Sequence, residues 1–365
     1  MRIPAAIYPF SAELLPAVKY FERLQDRYTL TKLISLPGFG LGGKDAAYAC
    51  NKPETGYLVT EELWGADPSW ETLLVSRHLP SERFPHEKLA DAIHQALEAG
   101  KEVLYFDTGV SAVPKSVWEL AHADSEHLRV FTEDLCSADR ARAEDRYGTL
   151  KTPVMLVGGL AEMADSFEVL TGMALALRKA GLQPLVVSEQ PLGRLFRFHS
   201  LRHIFDGKDG TEADRILNIN TFLQGLERMY LPDLILMEAP DPVMRYNNIA
   251  PNGFGIRTYM LCQAASPDYL LCCVPCDLAA GNLLEMLSDD FSRRLGAAIS
   301  GVCVNNLIVD SANLLQTREV SYVRTGMDQV YAQMEKERSH SKIPMFYAAA
   351  EEMERFLSHL LQAEE

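Results

Sequence analysis

The chain has 365 residues, of which 47% are hydrophobic and 23% charged, and its formal net charge is −15. This length exceeds one ordinary hydrophobic core and predicts two domains, while the composition excludes a disordered chain. The acidic balance argues against nucleic acid and anionic membranes as partners, and no run approaches the roughly 18 apolar residues of a membrane span.

Apolar runs alternate with helix-period stretches along the whole chain, which is typical of βαβ units and parallel sheets. In the first half, helices are predicted from about Pro16, at about His86–Ala99 and near Pro114–Ala123. The polar stretch Ser137–Tyr147 has little apolar periodicity and is where we place the domain junction. The predicted strands of this half are Ile3–Tyr8, Thr29–Leu36, Thr72–Ser76, Glu102–Asp107 and Leu128–Phe131.

The second half continues the alternation, so we expect an α/β protein with two Rossmann-like, doubly wound domains. We predict a first domain at 1–135, a linker at 136–150 and a second domain at 151–365. The predicted strands are Pro153–Val157, Pro184–Ser188, Asp233–Met237, Tyr269–Val274 and Ala298–Val304. The predicted helices are Asp165–Ala180, Glu212–Met229, one from about Ile256, Leu283–Arg294 and an amphipathic C-terminal helix at Met345–Leu361.

The strand–loop–helix that opens the second half stands where a phosphate-binding loop would lie, and Gly158 and Gly159 begin its loop. Against the Walker A pattern GxxxxGK[ST], Ala164 replaces the second glycine, Asp165 replaces the lysine, and Ser166 keeps the hydroxyl. Because an aspartate repels the phosphate charge that lysine neutralises, ordinary ATPase activity is not expected. The alternative is that Asp165 is the N-cap of an ordinary helix.

A second glycine-rich loop follows the predicted strand Thr29–Leu36 and satisfies GxxxxGK. Its last position holds an aspartate where a serine or threonine would coordinate magnesium, and a proline soon follows, leaving little room for the long helix of a P-loop. We interpret it either as a ligand-contacting loop, whose lysine meets an anion, or as a mobile surface turn. Its candidate residues are Gly38, Gly40, Gly43, Lys44 and Asp45.

Polar residues also follow two further predicted strands. Glu238 and Asp241 come after the strand Asp233–Met237, where a Walker B carboxylate would hold magnesium. Asn305 ends the run GVCVN, which resembles the GVxxN element of dethiobiotin-synthetase-like and cobyrinate-amidase-like ATPases. That resemblance implies an asparagine that reads adenine. It also predicts a second domain of the P-loop-NTPase type with a degenerate phosphate loop.

The seven cysteines are an odd number and several lie in apolar runs, which favours reduced thiols and a cytoplasmic location. Cys272, Cys273 and Cys276 contain a CxxC spacing without the second pair that a zinc site would need, so we favour buried structural thiols. His199 and His203 are four residues apart but do not form HExxH, and we predict no metal site.

Several longer runs resemble the clostridial peptide maturation system protein family over almost the whole chain. They are VGGLAEMADSFEVL, PDLILMEAPDP, NGFGIRTYMLC and GVCVNN, with IYPF and PGFGLGGKDA in the first half. This resemblance implies a role in making a ribosomally synthesised, post-translationally modified peptide. It implies as partners a precursor peptide, a radical SAM maturase and an acyl-carrier-related protein. The second half resembles, more distantly, a family of D-glutamate N-acetyltransferases.

These observations leave three hypotheses open. The first is an accessory protein that binds the precursor peptide or a pathway partner in the cleft between its domains. The second is a ligase or acyltransferase that uses ATP with magnesium, or acyl-CoA, to act on a peptide or an amino acid. The third is a structural remnant that stabilises a partner complex without binding the peptide.

Overall fold

The computed structural model describes residues 1–64, 69–77, 86–107, 113–132, 147–161, 165–207 and 210–362. Its internal contacts divide the chain into two compact units, Met1–Cys136 with Glu189–His203, and Ser137–Ser188 with Ile204–Glu365. Each unit is built on a six-stranded sheet. The prediction assigned all of 151–365 to the second domain and did not anticipate that 189–203 belongs to the first unit. Most of the predicted linker lies outside the described residues.

The sheet of the first unit has the strand order β3-β2-β1-β4-β5-β6, with every pair parallel. This is the 3-2-1-4-5-6 order of doubly wound nucleotide-binding folds, which confirms the predicted fold class. The strands are β1 (Ile3–Phe10), β2 (Tyr28–Ser35), β3 (Val59–Thr60), β4 (Thr72–Ser76), β5 (Glu102–Phe106) and β6 (Leu128–Phe131). The helices are α1 (Leu15–Lys19), α2 (Phe21–Leu24), α3 (His86–Glu98) and α4 (Lys115–Ala123).

The central strands of this unit are buried almost throughout, as expected when helices cover both faces of a parallel sheet. One side of the sheet packs on α3 and α4 around the fully buried Trp70, Ile93 and Val117. Their apolar runs explain why the strand positions were predictable. The two-residue β3 was missed because so short a strand has no measurable period.

The sheet of the second unit has the parallel order β14-β11-β10-β7-β9-β8. Its strands are β7 (Val154–Gly159), β8 (Pro184–Val187), β9 (Leu234–Glu238), β10 (Tyr269–Pro275), β11 (Ile299–Asn305) and β14 (Met345–Phe346). A separate antiparallel pair consists of β12 (Leu307–Val309) and β13 (Tyr322–Arg324). The helices are α5 (Ser166–Lys179), α7 (Glu212–Tyr230), α8 (Ile256–Ala265), α9 (Gly281–Leu295), α10 (Ser311–Thr317), α11 (Met327–Glu337) and α12 (Ala350–Gln362). The short helix α6 (Arg202–Phe205) spans the boundary between the two units at His203.

The C-terminal segment differs from its prediction. A helix was predicted from Met345, but Met345–Phe346 forms the edge strand β14 and the helix begins at Ala350. Val302 of β11 donates its N–H to the carbonyl of Pro344 at 2.9 Å, so the chain pairs with the sheet before it turns into α12. Within the described ranges, every helix is too short or too polar to cross a bilayer.

Gly301 allows α12 to approach β11. A Cβ added there would lie 2.5 Å from Cε2 of Phe356, whose ring stacks on Phe346. We expect Gly301→Ala to lower the free energy of unfolding by about 1–3 kcal/mol through overpacking, measured by urea denaturation. Gly326→Ala is the matched control because nothing lies within 4 Å of its added Cβ. Equal effects of the two substitutions would contradict this account of the packing.

Candidate functional site

A buried carboxyl group, that of Glu238, lies at the carboxyl end of β9 beside the strand β7. Ser166, the first residue of α5, donates its hydroxyl to Oε1 at 2.9 Å. Ser188, which directly follows β8, donates its hydroxyl to Oε2 at 2.5 Å. The three side chains meet because the carboxyl ends of parallel strands share one edge of the sheet. Both carboxylate oxygens of Glu238 are thus bound by hydroxyl groups of the same unit.

The protonation of Glu238 is set by this environment. Burial raises the pKa of the carboxyl group, and the hydrogen bonds from Ser188 and Ser166 offset only part of that effect. The proton is therefore held more tightly than on an exposed glutamate. The sequence named Ser166 and Glu238 as separate site candidates, and the structure brings their side chains together. It did not identify Ser188. The available signal was a polar residue at the end of the predicted strand Pro184–Ser188.

Asp165, which stands at the Walker A lysine position, has left-handed backbone angles with φ 60°. Its carbonyl oxygen accepts the N–H groups of Glu168 at 3.0 Å and Val169 at 3.2 Å, so it occupies the N-cap position of α5. Its side chain makes no capping hydrogen bond. Its negative charge instead helps to raise the pKa of the Cys273 thiol on β10, after the larger effects of Cys303 and burial.

Gly158 and Gly159 end β7 rather than beginning the loop. A Cβ at Gly158 would lie 2.5 Å from Cγ1 of Val243 and 3.1 Å from Cβ of Ala239. The N–H of Val243 donates to the carbonyl of Gly159 at 3.0 Å. The segment after β9 thus crosses the end of β7, and this close approach requires a glycine at 158. Ala164, at the second Walker A glycine position, lies outside the described residues.

Asp241, predicted as a nucleotide-site acid, caps α8. Its carboxylate accepts the N–H of Arg257 at 3.1 Å and that of Thr258 at 2.8 Å. A carboxylate bound by the first amides of a helix is a stabilising structural cap. This capping role had no local signal in the sequence, because the amides lie 16 and 17 residues away. The role of Asp241 as a magnesium-holding acid stays a prediction.

Asn305 lies at the end of β11, as its motif predicted, and its side chain is almost fully buried. Its Oδ1 accepts the N–H of Leu307 at 3.1 Å, which shapes the turn into β12. Since β11 is two strands from β7, roughly 10 Å separates their axes. Asn305 is therefore not part of the hydrogen-bonded group around Glu238.

The glycine loop of the first unit contains Gly38, Gly40 and Gly43, all with positive φ. Backbone hydrogen bonds to one carboxylate stabilise this surface loop. The Asp45 carboxylate accepts N–H groups from Ala47 at 2.8 Å, Thr55 at 3.0 Å and Gly56 at 2.8 Å. Partial burial acts to raise the pKa of Asp45, and these hydrogen bonds outweigh it and lower the pKa.

The lysine of this loop makes a cation–π contact, in which Lys44 Nζ lies 4.0 Å from the centre of the Tyr48 ring. Only a short 3-10 turn, Tyr48–Cys50, follows. The adjacent groove of about 580 Å³ is lined by Glu61 and Glu62, whose charges oppose a phosphate. These contacts favour the surface-turn interpretation of the GxxxxGK match, and its role as an anion-contacting loop stays a prediction.

All six cysteines that the structure describes are buried, and none of them forms a disulfide. Burial is the main cause that raises the pKa of Cys272 to about 12 and that of Cys276, so these thiols resist ionisation. Among the described residues, no three histidine, cysteine, aspartate or glutamate side chains are placed to hold a metal.

The strand orders and the Ser166–Glu238 pair define an α/β protein with two doubly wound units, the second of P-loop-like architecture. The chain is similar over its full length to a DUF1611 family protein from Anabaena variabilis, with 10% identity, TM-score 0.63 and 100% of both chains covered. No protein-family model and no curated protein sequence matches it.

Two further solved structures resemble part of the chain. Cobyrinic acid a,c-diamide synthase from Mycobacterium smegmatis, with bound ADP and magnesium, shares 14% identity and covers 58% of this chain and 94% of its own, with TM-score 0.35. A GTPase from Pyrococcus abyssi in apo form shares 14% identity and covers 59% of this chain and 98% of its own, with TM-score 0.33. At these scores neither structure carries an argument about this chain, and the first similarity supports the fold alone.

The raised pKa of Glu238 has a defined effect on stability. A carboxyl group whose folded pKa exceeds its unfolded pKa binds more protons in the folded state, so its contribution to stability falls as pH rises between the two values. We expect Glu238→Gln to gain stability relative to the unsubstituted protein as pH rises from about 5 to 8, in urea denaturation.

The matched control has the opposite sign. The N–H of Lys342 and the hydroxyl of Ser341 lower the pKa of Glu285. Glu285→Gln should therefore lose stability relative to the unsubstituted protein as pH rises through the acid range. The same pH trend in both variants would show that burial does not control Glu238.

Proposed function

We propose that this protein is an accessory protein in the maturation of a ribosomally synthesised, post-translationally modified peptide. Its second unit then acts by binding and does not hydrolyse a nucleoside triphosphate. The observation that carries the proposal is the acid Asp165 at the position where a P-loop needs a lysine. The peptide pathway is proposed from the sequence runs that resemble the peptide maturation family.

The site keeps the residue types that hold magnesium in a P-loop protein and lacks the lysine that binds the phosphates. In P-loop proteins a serine or threonine hydroxyl and a Walker B acid hold magnesium, and Ser166 and Glu238 occupy those places. The lysine that would neutralise the β- and γ-phosphates is an aspartate. At a separation of roughly 6 Å and an effective dielectric of about 20, each unit-charge interaction amounts to about 3 kcal/mol. Replacing an attraction by a repulsion of that size favours weak triphosphate binding.

The charge of the whole chain supports the choice of partner. An excess of 15 negative charges repels polyanions and favours neutral or cationic segments of a partner peptide. A binding role also needs no catalytic constellation, which agrees with the structural use of Asp241 and Asp45 as backbone caps.

The charge at Asp165 can be reversed. We expect the unsubstituted protein to bind ATP with magnesium at millimolar Kd or weaker, and Asp165→Lys to tighten that binding at least about tenfold, by isothermal titration. Asp165→Asn removes only the repulsion and should have an intermediate Kd. Because lysine tolerates the left-handed backbone at 165 poorly, the fold of each variant is checked by thermal unfolding.

Asp289→Lys is the control, since it makes the same change of charge at an exposed position on α9. It should leave the Kd unchanged if the local charge at 165 decides the affinity. Micromolar ATP binding by the unsubstituted protein, or rapid phosphate release from it, would overturn the proposal.

The partners are tested directly. We expect the chain to bind at least one of a precursor peptide, a radical SAM maturase and an acyl-carrier-related protein encoded beside its gene. Binding is measured by biolayer interferometry with purified components at physiological salt. A scrambled precursor peptide of the same composition is the control. Equal binding of the scrambled peptide, or no binding of any component, would reject the accessory role.

The second candidate is a ligase or acyltransferase that uses ATP with magnesium, or acyl-CoA. The retained Ser166–Glu238 hydrogen bond favours it, because this pair is the magnesium-holding half of a nucleotide site. Titration with ATP, GTP and acetyl-CoA, with and without magnesium, separates the two candidates. Magnesium-dependent heat that disappears in Ser166→Ala would favour the enzyme.

A further inference from the structure

One side of the helix α8 is apolar although solvent reaches it. The helix has the sequence IRTYMLCQAA, with Arg257 as its single charged residue, and most of its side chains are buried. The remaining side exposes Ile256 and Tyr259, which lie three residues apart on the same face of the helix. A helix that is apolar all round is ordinarily buried on every side. The exposed side of α8 therefore has the composition of a contact surface.

Phe254, two residues before the start of α8, extends this apolar side. Its side chain is 59% exposed, and its backbone is left-handed, with φ 60°. Such angles strain any residue that has a Cβ, and an exposed ring gains little packing to offset that strain. Folding alone thus gives no reason for an aromatic residue at this position. We call Phe254, Ile256 and Tyr259 together the α8 surface.

The backbone beneath the α8 surface is held by its neighbours. A Cβ at Gly255 would lie 2.8 Å from the carbonyl oxygen of Val243, so two segments of backbone are in contact there. The carboxylate of Asp241 accepts the N–H groups of Arg257 and Thr258 in the first turn of the helix. An ordered backbone lowers the entropy that a surface loses when it binds a partner.

The segment that carries the α8 surface differs in charge from the rest of the protein. Residues 242–267 contain two arginines, Arg245 and Arg257, and no acid, whereas the whole chain has 50 acids against 35 lysines and arginines. The excess negative charge of the chain repels an acidic partner. This segment adds nothing to that repulsion and supplies two positive charges, so its charge favours an acidic partner.

Both arginines are placed beside the apolar side chains. Arg257 lies between the two exposed apolar residues of α8, and its ion pair with Asp206, at 2.7 Å, is itself exposed. Exposed ion pairs contribute little, so the carboxylate of a partner can replace that of Asp206. Arg245 is exposed and is two residues from Val243, a stretch of at most roughly 7 Å. Because Val243 contacts Gly255, this stretch begins at the base of the α8 surface.

We propose that the α8 surface binds a peptide segment of a partner protein that combines apolar side chains with an acidic one. The apolar side chains of the segment cover the α8 surface and remove it from water, and the carboxylate pairs with one of the two arginines. Aromatic residues and arginine are residue types in which binding energy is concentrated at protein interfaces. This surface depends neither on the chemistry at Glu238 nor on the function proposed above.

The test selects binders without assuming a partner. A displayed library of random peptides is panned against the full chain, and enriched peptides are labelled with fluorescein so that Kd is measured by fluorescence anisotropy. We expect the enriched peptides to combine large apolar residues with aspartate or glutamate and to bind with micromolar Kd. Raising the salt to about 0.5 M should weaken binding several-fold, because salt screens exposed charges. Enrichment of basic peptides, or no enrichment, would overturn the proposal.

Two charge-changing substitutions place the binding on the α8 surface. Ile256→Glu should weaken the Kd of the enriched peptides at least about tenfold, because it puts a negative charge into the apolar contact. Arg245→Glu should weaken the Kd about fivefold, because it reverses one of the two positive charges. Leu315→Glu is the matched control, since it makes the first change at an exposed apolar position of α10, and should leave the Kd unchanged.

Phe254→Gly separates binding from folding. Glycine adopts left-handed angles without strain, so this variant should unfold at the same urea concentration as the unsubstituted protein or at a higher one. It should nevertheless weaken the peptide Kd at least about fivefold, because the exposed ring is lost. Undiminished binding in Phe254→Gly or in folded Ile256→Glu would overturn the proposal. A dimer that Ile256→Glu dissociates in sedimentation velocity would also overturn it, because a second copy of the chain would then cover this surface.

Discussion

The buried carboxyl group of Glu238 is the interaction on which the second unit depends at its functional edge. It joins the end of β9 to the start of α5 through Ser166 and to the end of β8 through Ser188. An acidic group in this environment is stable only while its oxygens are hydrogen-bonded or carry a proton. The two hydroxyl groups therefore fix the geometry of the strand ends as well as the properties of the acid.

Asp165 stands next to this centre, because it is the N-cap of α5 and directly precedes Ser166, whose hydroxyl binds Glu238. An acid therefore adjoins the hydroxyl group at the position where a P-loop has its lysine.

Much of the architecture could be predicted because buried parallel strands are continuous apolar runs and helices have a clear period. Ser166 was named from the register of the Walker A pattern, and Glu238 from an acid at the end of a predicted strand. Ser188 was not, because its role depends on β8 and β9 being neighbours, and sheet order has no local signal in a sequence. The capping contacts of Asp241 had no local signal for a related reason, since the amides that it binds are 16 and 17 residues away. Asp45 binds the nearby amide of Ala47 and also those of Thr55 and Gly56, which are 10 and 11 residues away. The start of α12 was wrong because the pairing of Met345–Phe346 with β11 overrides a helical pattern.

The return of residues 189–203 to the first unit makes that unit discontinuous in sequence. Phe196 supplies part of its interior from a position more than fifty residues beyond Cys136. A fragment ending at Cys136 would leave Phe21 without its aromatic neighbour, and removing 189–203 from the remaining chain would break the connection after Ser188. A cut at the apparent junction would therefore separate the first unit from a segment that packs in its interior.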